Sequence, residues 1–194
     1  MNIGLFFGSF NPIHVGHLII ANTMATTTDL GQVWFVVSPQ NPFKKTKSLL
    51  HEFDRLDMVE RAIADNNRLK ATDVEFSMPK PSYTIDTLDK LRSTFPQHTF
   101  RLIMGEDNLA QFANWKAHER ILTEIGLYVY PRPARESVTM PSPFLTHANV
   151  RLVSAPLLDI SATFIREAIR TNRSIRYMVP DVVEEMITRK KFYL

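Results

Sequence analysis

The first 17 residues constrain the fold more than any other stretch, because an apolar run there stops at a glycine and a helical pattern follows. Residues 3–7 predict a buried strand, and residues 15–24 have the apolar spacing of a helix. Gly8 lies between them and allows the backbone to approach a ligand closely. Because the N–H groups and the dipole of a helix N-terminus favour phosphate, the segment predicts an anion site where strand gives way to helix.

Two histidines lie at this junction, three residues apart, at His14 and His17. If the helix begins near residue 13, both imidazoles lie on one face of its first turn and can reach the same polyphosphate. One of them could instead simply cap the helix. Zinc is a weaker alternative, because the chain has no cysteine and this stretch has no carboxylate to complete a tetrahedral site.

Strand and helix patterns alternate along the rest of the chain, which predicts an open, mostly parallel sheet with helices on both faces. Further strands are expected at 33–37, 70–76, 99–104, 126–130 and 150–153, and helices at 49–63, 83–91, 117–125, from 160 onward and at 182–189. Ser82 or Thr84 is the expected N-cap of the helix at 83–91. Residues 131–149 contain four prolines and no clear period, which indicates a long surface loop.

Composition narrows the class of protein without deciding it. A chain of 194 residues that is 44% hydrophobic can bury one sizeable core, so we expect one domain over residues 1–194. The absence of cysteine, of a long apolar span and of a leader predicts a cytoplasmic protein with no membrane partner. A net charge of +3, from 23 basic and 20 acidic residues, is too small to predict nucleic-acid binding and suits a small anionic substrate.

A second polar cluster begins the helix expected from residue 160. Ser161 is a good N-cap, and Thr163 and Arg166 are three residues apart near the helix entrance. Both side chains could reach one phosphate group there. The alternative is an ordinary cap followed by a solvated arginine.

The stretches 8–17 (GSFNPIHVGH) and 160–166 (ISATFIR) resemble the paired motifs of the nucleotidylyltransferase superfamily, whose members hold ATP with two histidines and a Ser/Thr-rich helix start. Within it, the chain is most similar to the bacterial nicotinate-nucleotide adenylyltransferases. The segments that carry this similarity are 82–88 (SYTIDTL), 105–109 (GEDNL) with Trp115 and Lys116, and 130–133 (YPRP). The resemblance implies a Rossmann-like sheet and the transfer of an adenylyl group from ATP to nicotinate mononucleotide.

The same resemblance implies roles for individual residues in ATP binding. His14 and His17 would be catalytic, and Mg²⁺ would bind mainly through the ATP phosphates. The ATP-binding residues would be Gly8, Ser9, Phe10, His14, His17, Lys44, Gly105, Asp107, Ser161, Thr163 and Arg166.

For the mononucleotide, the resemblance implies that Trp115 stacks on the pyridine ring and that Tyr83 and Thr84 meet its substituent. Arg132 and Asn41 would hold the phosphate. Trp115 could instead be a core aromatic and Arg132 a solvated loop residue. Two positions depart from the family pattern: Phe43 stands where a histidine is often found, and Glu106 where the residue is usually small.

Several functions stay open on the sequence. The acceptor could be nicotinamide mononucleotide or, less in keeping with the internal segments, phosphopantetheine. A regulatory ATP-binding module without turnover would be expected to lack a histidine or Arg166, and both are present. A tRNA-binding protein would need a basic stripe with aromatics, which the sequence lacks. A homo-oligomer is compatible with the sequence, which does not orient any interface.

Overall fold

The computed structural model describes residues 1–40, 49–132 and 142–194. Within these residues, six strands form one sheet in the order β3-β2-β1-β4-β5-β6, and every neighbouring pair is parallel. The strands are β1 Asn2–Gly8, β2 Gln32–Val37, β3 Leu69–Thr72, β4 Thr99–Gly105, β5 Leu127–Tyr130 and β6 Val150–Leu152. The predicted open parallel sheet is confirmed, and its strand order is the one found in Rossmann-like folds.

The strand order reverses between β1 and β4, which lie side by side at the centre of the sheet. Their register pairs Phe6 with Ile103, so the glycines that end the two strands, Gly8 and Gly105, are neighbours at the same edge. Gly105 in turn pairs with Tyr130 at the end of β5. Open parallel sheets place ligands in the crevice outside this switch point.

Helices cover the sheet on both faces, as the alternation of patterns predicts. They are α1 Val15–Thr27, α2 Glu52–Ala62, α3 Thr84–Thr94, α4 Glu106–Leu109, α5 His118–Arg120, α6 Ala162–Arg170 and α7 Asp181–Lys190. One core cluster packs α1, α2, α6 and α7 against strand residues such as Phe6 and Phe35. The other packs α3 and the segment 109–125 against Leu5 and Leu102. Buried strands of this kind read as continuous apolar runs because both faces are covered.

Two local predictions are wrong. The strand expected to reach residue 76 ends at Thr72 and is followed by turns. In these turns the Glu75 side chain is buried and accepts a hydrogen bond from Ser82. The N-cap of α3 is Tyr83, not Ser82 or Thr84, since the Ser82 hydroxyl donates to Glu75. The helix expected at 117–125 is present as α5 followed by a π-helical turn, Ile121–Ile125.

In the part of the chain that the structure describes, no helix is both long enough and apolar enough to cross a membrane.

Candidate functional site

The loop between β1 and α1, residues 8–14, is called the histidine loop here. Gly8 begins it, and a Cβ at Gly8 would lie 2.7 Å from the Phe10 ring. Phe10 has a φ of 44°, which turns its ring back over the end of β1 and into the core. Only a glycine at position 8 leaves room for that ring, so the local path of the loop follows from Gly8 and Phe10 together.

The two histidines lie against each other at the start of α1. Their rings are stacked with centroids 3.6 Å apart, and the His14 backbone N–H donates to His17 Nδ1 at 3.3 Å. The His17 ring also packs edge-on against Phe10 at 5.1 Å. Because His17 Nδ1 accepts a hydrogen bond, the neutral ring carries its proton on Nε2, where it can donate. The expectation that both imidazoles share one face of the helix start is confirmed.

His14 occupies the N-cap position of α1 and is only 5% exposed. Within the described residues, its Nδ1 is buried without a hydrogen-bond partner. Burial, and to a smaller extent the charge of Arg132, lowers the pKa of His14 from 6.5 to about 4. His14 is therefore a neutral imidazole at physiological pH.

The start of α6 lies directly against the start of α1. A Cβ at Gly16 would come within 2.6 Å of Ile160 Cγ2, so the glycine permits this close approach. Ser161 caps α6, and its hydroxyl accepts from the Phe164 N–H at 3.2 Å. The predicted cap is confirmed, and two motifs more than 140 positions apart in sequence meet at one place.

Arg166 joins α6 to the histidine loop. Its Nη1 donates to the Asn11 carbonyl oxygen at 2.8 Å, and its Nη2 donates to Thr163 Oγ1 at 3.3 Å. The Asn11 side chain accepts from the Tyr193 hydroxyl at 2.9 Å and from the Leu50 N–H at 3.3 Å. Arg166 is thus not a freely solvated arginine, because it is bonded to Asn11, which is itself held by Tyr193 and Leu50.

Across the switch point, Asp107 and Arg132 form an ion pair with Nε 3.6 Å from Oδ1. A Cβ at Gly105 would clash with Asp107 Oδ1 and lie 3.1 Å from Arg132 Cγ. The charge of Arg132 acts on His14 and also on Tyr130, whose pKa burial raises to about 12. Arg132 therefore adds positive charge beside the histidine pair.

A second group of predicted residues lies around the N-terminus of α3. Tyr83 is 38% exposed, and Lys116 Nζ lies 4.8 Å from the centre of its ring. Lys116 also pairs with Asp86 at 2.8 Å, which joins the segment of Trp115 to α3. The Trp115 ring is half-buried and packs 5.7 Å from Phe112. Trp115 and the N-terminus of α3 thus lie on the same side of the molecule.

Comparison with known proteins decides the family. The cytidylyltransferase-like family model matches residues 5–168. A probable nicotinate-nucleotide adenylyltransferase of Cytophaga hutchinsonii is 64% identical over 100% of this chain and 98% of its own length. One of Flavobacterium psychrophilum is 47% identical over 100% of this chain and 99% of its own length.

The chain belongs to the nicotinate-nucleotide adenylyltransferase family. The fold agrees: a solved Plasmodium falciparum nicotinic acid mononucleotide adenylyltransferase, complexed with NaAD, superposes with a TM-score of 0.80. That alignment covers 99% of this chain and 97% of the other at 20% identity. The resemblance inferred from the motifs is therefore confirmed.

For this adenylyltransferase family member, the structure brings most of the predicted site residues to one edge of the sheet. Those at the switch point and the α1 and α6 starts are Gly8, Ser9, Phe10, His14, His17, Gly105, Asp107, Arg132, Ser161, Thr163 and Arg166. Asn41, Lys44 and the departure at Phe43 lie outside the described residues. Glu106 begins α4 and is half-buried.

Two buried charged residues near this edge were not expected from the sequence. Glu75 is 2% exposed, and its carboxylate accepts from Ser82 Oγ at 2.9 Å and from Thr87 Oγ1 at 2.7 Å. Arg55 is completely buried in α2. The signal for Arg55 was its spacing, because it shares the apolar face of its helix with Met58 and Val59.

Proposed function

We propose that this protein transfers the adenylyl group of ATP to nicotinate mononucleotide. A phosphate oxygen of the mononucleotide attacks the α-phosphorus, the bond from that phosphorus to the α,β-bridging oxygen breaks, and pyrophosphate leaves with the electron pair. The products are nicotinate adenine dinucleotide and pyrophosphate. Because the attacking phosphate is anionic at neutral pH, the reaction needs no general base.

The observation that carries this proposal is the convergence of four separate segments on one point. The histidine pair, the capped start of α6, Asp107 after β4 and Arg132 after β5 all meet at the switch point of the sheet. This arrangement offers neutral N–H donors, a helix N-terminus and fixed guanidinium charge, and it offers no base paired with a hydroxyl or thiol nucleophile. Such a set suits the alignment of phosphates and the neutralisation of their charge.

On the ATP side, we assign transition-state stabilisation to His14 and His17. His17 would donate from Nε2, and a neutral His14 would donate without the cost of placing a charge in its buried position. Arg166, held by Asn11, would supply fixed charge to the phosphates, with Ser161 and Thr163 at the same helix start. Lys44, outside the described residues, stays a predicted ATP-binding residue.

On the acceptor side, we assign the pyridine ring to Trp115 and its carboxylate to the N-terminus of α3 near Tyr83 and Thr84. The half-buried Trp115 supports this, because one part of its surface packs on Phe112 and the rest is left for a ligand. Arg132 would hold the mononucleotide phosphate. Its electrostatic effect on His14 supports this assignment, because the attacking phosphate would have to come close to the histidine pair.

We propose that magnesium would enter with ATP as part of the substrate, bound mainly through the ATP phosphates, and would offset part of their negative charge. Among the described residues, no group of three or more His, Asp or Glu side chains is arranged to hold a metal ion. Mg²⁺ commonly keeps several waters and needs few protein ligands. The single domain over residues 1–194, the cytoplasmic location and the oligomeric state stay predictions.

The test is pyrophosphate release by the purified protein with ATP and magnesium. Nicotinate mononucleotide, nicotinamide mononucleotide and phosphopantetheine are offered in separate reactions. We expect the first to be used with the highest kcat/KM. Preference for either of the others would contradict the proposed acceptor, and no release with any of them would contradict adenylyl transfer to these acceptors.

A further inference from the structure

Arg55 lies in α2, outside the histidine loop, and its charged side chain is 0% exposed. Burial lowers the pKa of its guanidinium, which still stays charged at any physiological pH. Burying a charge without a strong local reason is unfavourable. The surroundings of Arg55 must therefore be built to receive it.

Four hydrogen bonds receive the guanidinium, and all four acceptors are backbone carbonyl oxygens. Nη1 donates to Ser9 at 2.6 Å and to Ser38 at 2.7 Å. Nη2 donates to Pro39 at 3.1 Å, and Nε donates to Leu50 at 2.9 Å. One side chain thus fixes the backbone just after β1, the backbone just after β2 and the backbone two residues before α2.

No ion pair neutralises this charge within residues 1–40, 49–132 and 142–194. Every carboxylate there lies beyond ion-pair distance of Arg55, although Glu52 exerts a weaker electrostatic effect. A buried positive charge therefore lies behind the ends of the two strands. Its charge acts on the hydroxyl of Tyr193, which donates to the Asn11 side chain of the histidine loop.

The bonds of Arg55 continue to Arg166 through the backbone. Leu50, whose carbonyl accepts from Arg55, donates its own N–H to Asn11 Oδ1. The Asn11 carbonyl then accepts from Arg166 Nη1. Ser9 and Asn11, two residues apart in the histidine loop, are therefore both tied to this network, one directly and one through Leu50.

We infer that Arg55 is a positioning residue for the triphosphate: its planar fork holds the histidine loop and the end of β2 at a fixed separation, and its buried charge favours the anion. This inference rests on the proposed adenylyl transfer. Arg55 does so without contact to the substrate, because its side chain is 0% exposed and four of its five N–H donors are bonded to carbonyls. A lysine would keep the charge but could not span these acceptors with a planar fork.

The experiment compares Arg55→Met and Arg55→Lys with wild type and with Arg101→Met. Arg101, in β4, is a matched control. Its half-buried side chain also donates to a backbone carbonyl, that of Ile125 at 2.6 Å, away from the histidine loop. The measurements are the KM for both substrates, kcat, thermal unfolding, and calorimetric binding of α,β-methylene-ATP with magnesium.

We expect Arg55→Met to raise the ATP KM and the dissociation constant of α,β-methylene-ATP at least about 10-fold. The mononucleotide KM should rise at most a fifth as much. Arg55→Lys should recover less than half of that loss on a logarithmic scale, and Arg101→Met should bind the analogue within twofold of wild type.

Equal rises in both KM values, or unchanged analogue binding in folded Arg55→Met, would overturn the inference. Full recovery by Arg55→Lys would overturn the role of the planar fork. Loss of folding in both variants would assign Arg55 a purely structural role instead. If wild type binds the analogue but transfers to no acceptor, the proposed reaction is wrong, and the binding comparison still tests Arg55.

Discussion

The two halves of the candidate site are held together in different ways. The proposed phosphate half is made of the histidine loop and the starts of α1 and α6. Its histidine loop is buried, since Asn11 is 3% and His14 5% exposed, whereas Thr163 at the start of α6 is exposed. The acceptor half, made of the start of α3, Trp115 with Lys116, and Arg132, faces solvent. Its ion pairs have Lys116 and Arg132 side chains that are 52% and 39% exposed.

The bonds differ as well as the burial. In the phosphate half, Arg55 from α2 and Arg166 donate to backbone carbonyls of the histidine loop and so fix the main chain itself. In the acceptor half, side chains pair with side chains, and such exposed pairs are worth only about 0–1 kcal/mol. The half that would stabilise charge in the transition state is thus built rigidly, as electrostatic preorganisation requires. The half that would receive the second nucleotide is held by weaker contacts.

The largest effect is expected for His17→Ala. Removing a donor to charge that builds up in the transition state should lower kcat by about 100-fold or more. The change trims one ring beside Phe6 and Phe10, so the fold should persist. Steady-state kinetics with circular dichroism checks both statements.

His98→Ala is the control, because that histidine precedes β4 at the opposite edge of the sheet and packs on Trp34. Its turnover should stay within about twofold of wild type. Near-normal turnover of His17→Ala would remove the catalytic role assigned to His17.

The next effect tests whether burial keeps His14, in the phosphate half, in its neutral form. Burial lowers the pKa of His14 to about 4, so below pH 6.5 the unfolded chain binds a proton that the folded chain does not. The stability that depends on neutral His14 is complete above pH 6.5 and is lost as the pH falls towards 4. From pH 7 to pH 5 the loss should be about 2 kcal/mol.

Urea unfolding of wild type and His14→Gln between pH 7.5 and 5 measures this contribution. The difference between their free energies of unfolding should change with pH by the amount expected for His14. Parallel curves for the two proteins would show that His14 is not held neutral by burial.

A smaller effect is expected in the acceptor half, at Trp115. Stacking on an aromatic side chain is worth about 1–3 kcal/mol per base, so Trp115→Ala should raise the mononucleotide KM about 10-fold or more. The ATP KM should change little. Trp115→Phe keeps an aromatic face and should retain most of the affinity. An effect confined to ATP would contradict the stacking role.

The sequence predicted the local structure of the proposed phosphate half well, because its signals are local. A strand, a glycine and a helix start are readable over 17 residues, and the cap at Ser161 is readable over six. What local patterns could not supply is the meeting of α1 with α6, which depends on the missing side chain of Gly16 against Ile160. The family resemblance supplied that link before the structure did.

Buried polar networks are the part that the sequence did not predict. Glu75 lies in a stretch read as a strand, and its partners Ser82 and Thr87 are seven and 12 residues away. Arg55 donates to carbonyls up to 46 residues away. Backbone carbonyls carry no residue identity, so no sequence pattern marks them as acceptors. A charged residue on an otherwise apolar helix face is the available signal.

The smallest effect is expected for Lys116→Met, and its small size is what the comparison of the two halves requires. The change removes the ion pair with Asp86 and the contact with the Tyr83 ring, both at the protein surface. Stability should fall by less than about 1 kcal/mol, and the mononucleotide KM should rise less than about threefold.

Lys70→Met is the matched control, because Lys70 also lies over an aromatic ring, 4.5 Å from that of Trp34, but away from the site. It should cost similar stability and leave both KM values unchanged. A tenfold rise in the mononucleotide KM for Lys116→Met alone would mean that the acceptor half is as tightly organised as the phosphate half. Exposed ion pairs do not supply that much energy, so a bound ligand would have to bury the pair.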